Sequence, residues 1–520
     1  MKRLLSIAII AISSLSMLAQ GYKNPILPGF RPDPSVCRVG DDYYLVNSSF
    51  QFFPGVPISH SRDLIHWEQI GNVLDRPSQL NLKNVGPWGG IYAPTIRFHE
   101  GKYYMIVTNV SDKGNFICTA THPSGPWSDP IWLKQGGIDP SLYFEDNTCY
   151  MLSTENGQLL MCEINPATGD QLTPSKSLWE GTGARYTEGP HIYKVNGYYY
   201  LMAAEGGTEY GHKESIARSR TIYGPYESNP TNPILTHINK NAQSNIIQGT
   251  GHADLVQASD GSWWMVCLAF RMQGGTYHNT GRETYLTPVT WSTDGWPVVN
   301  SNGTISVDMQ CSTLPQVTMP VLPERDDFDS PKLSFVWRHI SNPHFENYSY
   351  NTERPGYMRL KTSTVNLDSN DSPTFIGRIQ ENPKFSATTS MDITHLKSGA
   401  EAGLSVYMAG NYRYDVGVAV NRGKPYLTVT YCIAQIHHVA ATIPLTAKTI
   451  YLRVTGDEND YHFAYSVDNK KFNTLTSMAS RIVSTEVAGG FTGVTIGLFA
   501  TSKNVDGSYA DFDWFDYKNN

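Results

Sequence analysis

Five times in roughly its first 300 residues the chain repeats one short plan, and that repeat limits the folds open to it. A small or charged residue opens an alternating apolar run. A turn at Gly, Asp or Asn follows, and a pair of aromatic residues, or Cys149 and Tyr150 in the third unit, starts a second run. Asp33 opens DPSVCRVGDDYYLVNSS, Ala93 opens APTIRFHEGKYYMIVTN and Asp139 opens DPSLYFEDNTCYMLST. Glu188 opens EGPHIYKVNGYYYLMAA and His252 opens HADLVQASDGSWWMVCLAF. Each unit reads as strand, tight turn, strand, with the aromatic pair packing outward. A spacing of roughly 45 to 65 residues leaves room for four strands per unit, and radial repetition of such units is a β-propeller, here of five blades. The innermost strand of every blade lines one central channel. Asp33, Asp139, Glu188 and His252 are therefore expected to converge on one axis.

At 520 residues the chain holds two or three domains. Hydrophobic residues make up 40% and charged residues 17%, which excludes a disordered chain. The 31 tyrosines suit strands and surfaces on which sugars stack. A net charge of −7 without any Lys/Arg run argues against nucleic acid as a partner.

Lys2 and Arg3 precede an apolar run from Leu4 to Leu18, with Ala19 ahead of Gln20 and Gly21. This is the pattern of a secretory signal, residues 1–20, too short for a membrane span. The mature protein is expected to be secreted, with the periplasm as its compartment, and to carry no span. The seven cysteines, Cys37, Cys118, Cys149, Cys162, Cys267, Cys311 and Cys432, lie mostly inside apolar strands. They read as small core residues, Cys149 and Cys162 included, although these two flank a hairpin.

No long pattern of period 3.6 is present, so helices should be few and short. The propeller is assigned to residues 21–311 and a Pro-containing linker to 312–326. From 327 to 520 closely spaced alternating runs, such as EAGLSVYMAG, YRYDVGVAV and YADFDWFDY, give an antiparallel β-sandwich. The fold class is thus all-β.

Three inward carboxylates define a chemistry. Hydrolysing a glycosidic bond takes one carboxylic acid to protonate the leaving oxygen and a second carboxylate on the other face of the sugar. A third acidic group nearby lifts the pKa of the acid and orients it. Crowded buried acids also call for a cation, which Arg282 or Arg31 can supply. Phe50, Phe52 and Phe53 form an aromatic cluster beside a Pro-Gly loop, either core between blades or channel rim. Trp88 and Tyr92 border the inner strand at Ala93 and carry the same two readings.

The motifs RPDPS, GIDPSLYFED, TEGPHIYK, GTGHADLV and GRETYL resemble, in order and across the mature chain, glycoside hydrolase family 43. The resemblance is to the branch with a C-terminal, concanavalin-like sandwich, which holds β-xylosidases and α-L-arabinofuranosidases. It implies a five-bladed propeller enzyme that inverts configuration. It implies Asp33 as general base, Glu188 as general acid, Asp139 as the residue that tunes and orients the acid, and Arg282 as substrate-binding arginine. His252 matches an axial histidine that in some members helps hold Ca2+ through water; no cofactor is otherwise required. Phe50 matches an aromatic residue flanking the first subsite. Tyr92 stands where the family often has Trp; the pocket floor is expected to be kept, with its shape, and so the sugar preferred, left open. Phe491, flanked by glycines in GGFTGVTIGLFA, matches a residue that reaches from the sandwich to the pocket rim. The expected activity is exo-acting release of a terminal pentose, β-1,4-xylosidase on xylo-oligosaccharides first. α-L-Arabinofuranosidase on arabinoxylan or arabinan side chains is the alternative. A sugar-binding propeller without activity and a retaining fructan-type hydrolase are the remaining readings.

Overall fold

The computed structural model describes residues 20–311, 313–315, 317–505 and 507–520. The signal segment expected at 1–20 lies outside the described residues, Gln20 excepted. Helix among the described residues amounts to Thr485–Ala488 and two 3-10 turns, as the missing 3.6 period requires.

The first part of the chain folds into five antiparallel sheets of four or five strands. Their first strands are Ser35–Val39, Thr95–His99, Ile138–Glu145, Glu188–Val195 and Ile247–Gln257. Each of these lies beside the next, and the fifth returns to the first, so the five close a ring. Gln20–Lys23 pairs with Asp308–Cys311, tying the start of the ring to its end. Several turns between first and second strands follow from the sequence. Glu100 and Gly101, and Asn196 and Gly197, all have positive φ, the backbone of a two-residue turn whose twist matches the strands it joins.

The aromatic pairs do not both point outward as expected. Neighbouring residues of a strand face opposite sides, so one ring of each pair enters the core between sheets. Tyr43 and Trp264 share one such cluster, and Tyr103 and Tyr200 lie in two others. The fifth inner strand also begins before His252, at Ile247, and carries two register shifts, between Gln248 and Gly251 and between Gly251 and Asp254. All seven cysteines are free and buried.

The second part packs a six-stranded sheet against a larger sheet built around Tyr509–Asn519 and Phe385–Asp392. One core, including Phe385, Leu404, Val416, Phe463, Leu498 and Phe515, fills the space between them. Arg325–Asp326 already pairs with the last strand, so this domain starts slightly before 327.

The two domains are joined by backbone and by core. Phe52–Phe53 forms a two-stranded sheet with His339–Ile340. Phe30, Phe50 and Phe52 from one side meet Ile340, Phe375, Tyr407 and Phe499 from the other in one buried cluster. The cluster of Phe50, Phe52 and Phe53 is thus divided. Phe53 packs within the first two sheets, Phe52 belongs to the domain interface, and Phe50 lies between interface and cavity.

Candidate active site

At the ends of the inner strands lies a cavity of about 370 Å³. Asp33, Asp139, Glu188, His252, Arg282, Phe50, Tyr92 and Phe491 all line it. Three of these residues have left-handed backbone: Asp33 at φ 50° and Asp139 at 52°, where their strands begin, and His252 at 49°, between the two register shifts of the fifth inner strand. Such conformations cost non-glycine residues on the order of 1–3 kcal/mol and persist where surrounding structure imposes them.

The fourth inner strand departs from that register. In the third sheet Ile138 pairs with Thr154 and Ser141 with Leu152; in the fourth Glu188 pairs with Ala204 and His191 with Met202. The residue equivalent to Asp139 is therefore Gly189, also at positive φ (59°), and Glu188 stands one residue earlier. A Cβ on Gly189 would lie 3.1–3.3 Å from the His252 ring, a tight approach that glycine avoids.

Asp33 is buried and bound from two sides. Arg282 Nη1 donates to its Oδ1 at 2.7 Å and Nη2 reaches its Oδ2 at 3.4 Å. The Ser48 hydroxyl donates to Oδ2, and His252 Nδ1 stands 4.0 Å from Oδ1. Burial alone would raise this carboxyl, but Arg282, His252 and the Ser48 hydrogen bond outweigh it and hold it below the ordinary carboxylate range. Glu188 goes the other way. Burial first, and the negative charge of Asp33 second, push it up to about 7, against the pull of Arg282. Asp139 is raised well above its usual range by burial, then by Glu188, and accepts a hydrogen bond from the Gly189 backbone. Asp139 and Glu188 repel each other, and both carboxyls stand above their ordinary range.

Arg282, not Arg31, is the cation of the cavity. Arg31 turns away toward Gln69. Arg282 is further fixed by Thr208 Oγ1 at 3.3 Å and by the backbone carbonyl of Phe491, which accepts from Nε at 3.3 Å. Phe491, 37% exposed, stacks on Phe50 with centroids 6.0 Å apart and stands edge-on to Tyr92 at 6.4 Å. A ring of the second domain thereby walls the cavity of the first. Trp88 is not among the lining residues. It lies beneath the loop that carries Phe491, where a Cβ on Gly490 would come within 1.9 Å of its Nε1. Tyr186, Thr208 and Glu209 also line the cavity. The sequence reading did not include them, and the left-handed φ of Tyr186 (54°) has no signature in its type.

One carboxylate held ionised and one carboxylic acid held protonated, in a single pocket walled by aromatic rings, define a glycosidase. Residues 22–297 match "Glycosyl hydrolases family 43", and residues 325–518 match the "Beta xylosidase C-terminal Concanavalin A-like domain". The chain belongs to glycoside hydrolase family 43. It is 42% identical over 515 residues to a non-reducing end α-L-arabinofuranosidase of Bacteroides ovatus, covering 98% of this chain and 96% of that one. It is 37% identical over 512 residues to a xylosidase/arabinosidase of Butyrivibrio fibrisolvens, covering 95% and 98%. Among solved structures, a xylan β-1,4-xylosidase of Bacillus halodurans superposes with a TM-score of 0.90 at 33% identity, covering 96% of this chain and all of that one.

Proposed function

We propose that this glycosidase is an exo-acting, inverting enzyme that removes a terminal pentose, with β-1,4-linked xylo-oligosaccharides as substrate. The observation that carries this reading is one cavity that holds Asp33, paired with Arg282, together with the buried Glu188, two carboxyls shifted in opposite directions. Ionised Asp33 accepts the proton of an attacking water, and Glu188 gives its proton to the leaving oxygen. Arg282 holds Asp33 in its ionised form, and Asp139 anchors the backbone beside the acid. Phe491 closes one side of the cavity, which favours a chain end over the middle of a polymer. We read the five ring-forming sheets as the blades of a propeller, and the N-terminal apolar segment as an export signal to the periplasm.

α-L-Arabinofuranosidase is the second reading. It is favoured by the relative from B. ovatus. Assays of the purified protein on nitrophenyl β-xyloside and nitrophenyl α-arabinofuranoside decide between them, and NMR of the first-formed anomer tests inversion. Preference for the arabinofuranoside overturns the first reading; a retained anomer overturns the mechanism.

We infer that the site beside His252 works without calcium. Ca2+ takes six to eight oxygen ligands. Both oxygens of Asp254, on the same strand, are already taken by Arg97, at 2.8 and 3.1 Å, and by Ser35 and Tyr193. Asp33 is paired with Arg282. The Arg97 guanidinium serves as the buried cation near the axis, and EDTA treatment should leave activity unchanged; loss restored by Ca2+ would contradict this.

A further inference from the structure

On the second domain, away from the carboxylates, three side chains of metal-ligating type meet. Cys432 lies near the end of strand Lys424–Ile433 and His437 near the start of strand Ile436–Pro444, and the ladder pairs them directly. The turn between the strands places Ala434 and Gln435 at φ 48° and 71°, a tight hairpin that fixes this register. His437 Nε2 stands 3.7 Å from Cys432 Sγ and 3.3 Å from Asp368 Oδ2. Asp368 comes from the connection after Met358–Lys361. The three ligand atoms lie within 4.8 Å of one another.

These separations have a specific meaning. A tetrahedral zinc ion bonds nitrogen and oxygen at roughly 2.0–2.2 Å and thiolate sulfur at roughly 2.3 Å, which puts its ligand atoms roughly 3.3–3.7 Å apart. Both histidine separations already fall there. A thiolate, an imidazole and a carboxylate together suit zinc and not the all-oxygen shells of calcium or magnesium.

The surroundings are those of a supported site. Arg413, itself buried, donates through Nη1 to Asp368 Oδ1 at 2.5 Å and through Nε to Asp415 Oδ2 at 3.0 Å. Asp368 Oδ2 faces His437 and also accepts from Asn366 Nδ2 at 3.2 Å, and outer hydrogen bonds such as those from Arg413 and Asn366 orient a ligating carboxylate. On binding, the Cys432 thiol releases its proton to solvent. Asp368 and His437 open onto a cavity of about 640 Å³, and the His437 side chain is 54% exposed, which gives the ion an entry path.

We propose that Asp368, Cys432 and His437 bind one Zn2+, with water as fourth ligand. The site is a clip, and none of its three ligands lines the cavity of the carboxylates. Leu367, next to Asp368, packs into the cluster that joins the domains. Zinc therefore ties the hairpin ending at Pro444 to a loop seated on that interface.

The test uses the full, tag-free chain, with zinc titrated against a chromophoric chelator. One zinc per chain is expected, and His437→Gln and Cys432→Ser should each weaken it at least about tenfold, no less than loss of an outer-shell partner does. Zinc should raise the Tm of the unsubstituted protein and not of His437→Gln, and leave turnover of an aryl glycoside unchanged. Cobalt(II) should give a thiolate-to-metal charge-transfer band that Cys432→Ser lacks. Absence of binding at micromolar zinc overturns the proposal and leaves His437 as a hydrogen-bonded bridge between Asp368 and Cys432. Undiminished binding in both variants also overturns it, placing the ion elsewhere. Should Cys432→Ser fail to fold, His437→Gln, a change at an exposed side chain, decides alone.

Discussion

Asp33 and Glu188 differ more in surroundings than in chemistry, and each should fail differently when replaced. Asp33→Asn removes the group that activates water. It should lower kcat by about 10⁴-fold or more, the upper end of what positioned proton transfer contributes, on every substrate. Glu188→Ala removes only help to the leaving group. Aryl glycosides with acidic phenols should retain much of their rate while xylobiose loses nearly all. Equal sensitivity of both variants to leaving-group pKa, measured over a series of aryl xylosides, would reverse the assignment. The pH profile follows from the same pair. Glu188 holds its proton up to about 7, so kcat/KM should fall on the alkaline side with a midpoint near that value. Asp33 stays ionised below the ordinary carboxylate range, so the acid limb should lie below about pH 4. Removing the negative charge of Asp33 should lower the pKa of Glu188 only partway, because burial, the larger cause, remains. Titration of labelled glutamate by carbon-13 NMR in Asp33→Asn checks this; an unmoved Glu188 would mean that burial acts alone.

At the scale of elements, the loop through Phe491 is held as a unit. His278 and Glu486 bond twice, through the His278 backbone N–H and through its Nδ1, and Val494 N–H donates to the Asn279 carbonyl. The Gly489 and Gly490 backbone lies on Trp88. Phe491→Ala should cost far less than the roughly 3–5 kcal/mol of a buried aromatic, because the ring is partly exposed. Its kcat/KM for xylobiose should nevertheless fall several-fold. Gly490→Ala should show the same kinetic loss with a lower Tm as well, since its φ of 87° and the Trp88 indole both oppose a methyl group. Normal kinetics in both variants would leave Phe491 without a part in binding. How far this was legible varies by residue. Turns at Gly101 and Gly197 and the glycine-flanked Phe491 are local, and local chemistry can be read. The one-residue offset of Glu188 could not be read, because a glutamate followed by glycine resembles an aspartate followed by proline until the ladder shows which residue turns left-handed. Trp88 and Phe52 failed for another reason. An aromatic residue beside a strand carries no mark of whether sugar, neighbouring sheet or second domain will cover it.

At the scale of the whole molecule, neither domain is complete alone. The cluster of Phe30, Phe50 and Phe52 with Phe375, Tyr407 and Phe499 is fully formed only across the interface, and cutting the chain exposes its halves to water. Polar ties would be lost with it. Arg271 donates to Asn382 Oδ1 at 2.8 Å and to the Glu381 carbonyl at 2.6 Å, while also bound to Glu283. Tyr277 donates to the Glu458 carbonyl at 2.6 Å. Each is a contact between buried or half-buried groups, which costs more to leave unmade than it gains when made. The active site spans the same cut, because Phe491 walls the cavity and its carbonyl holds Arg282. The chain divided between Cys311 and Arg325, with the halves expressed separately, should therefore give a first half that aggregates or binds a hydrophobic dye. Where it remains soluble, its turnover of xylobiose should be lower than that of Phe491→Ala in the intact chain, since it loses the anchor of Arg282 as well as the ring. Mixing the halves should restore activity in proportion to complex formed, followed by size-exclusion chromatography. A soluble first half with the full activity of the intact enzyme would show instead that the first domain alone sets the pocket, and that the interface serves stability only.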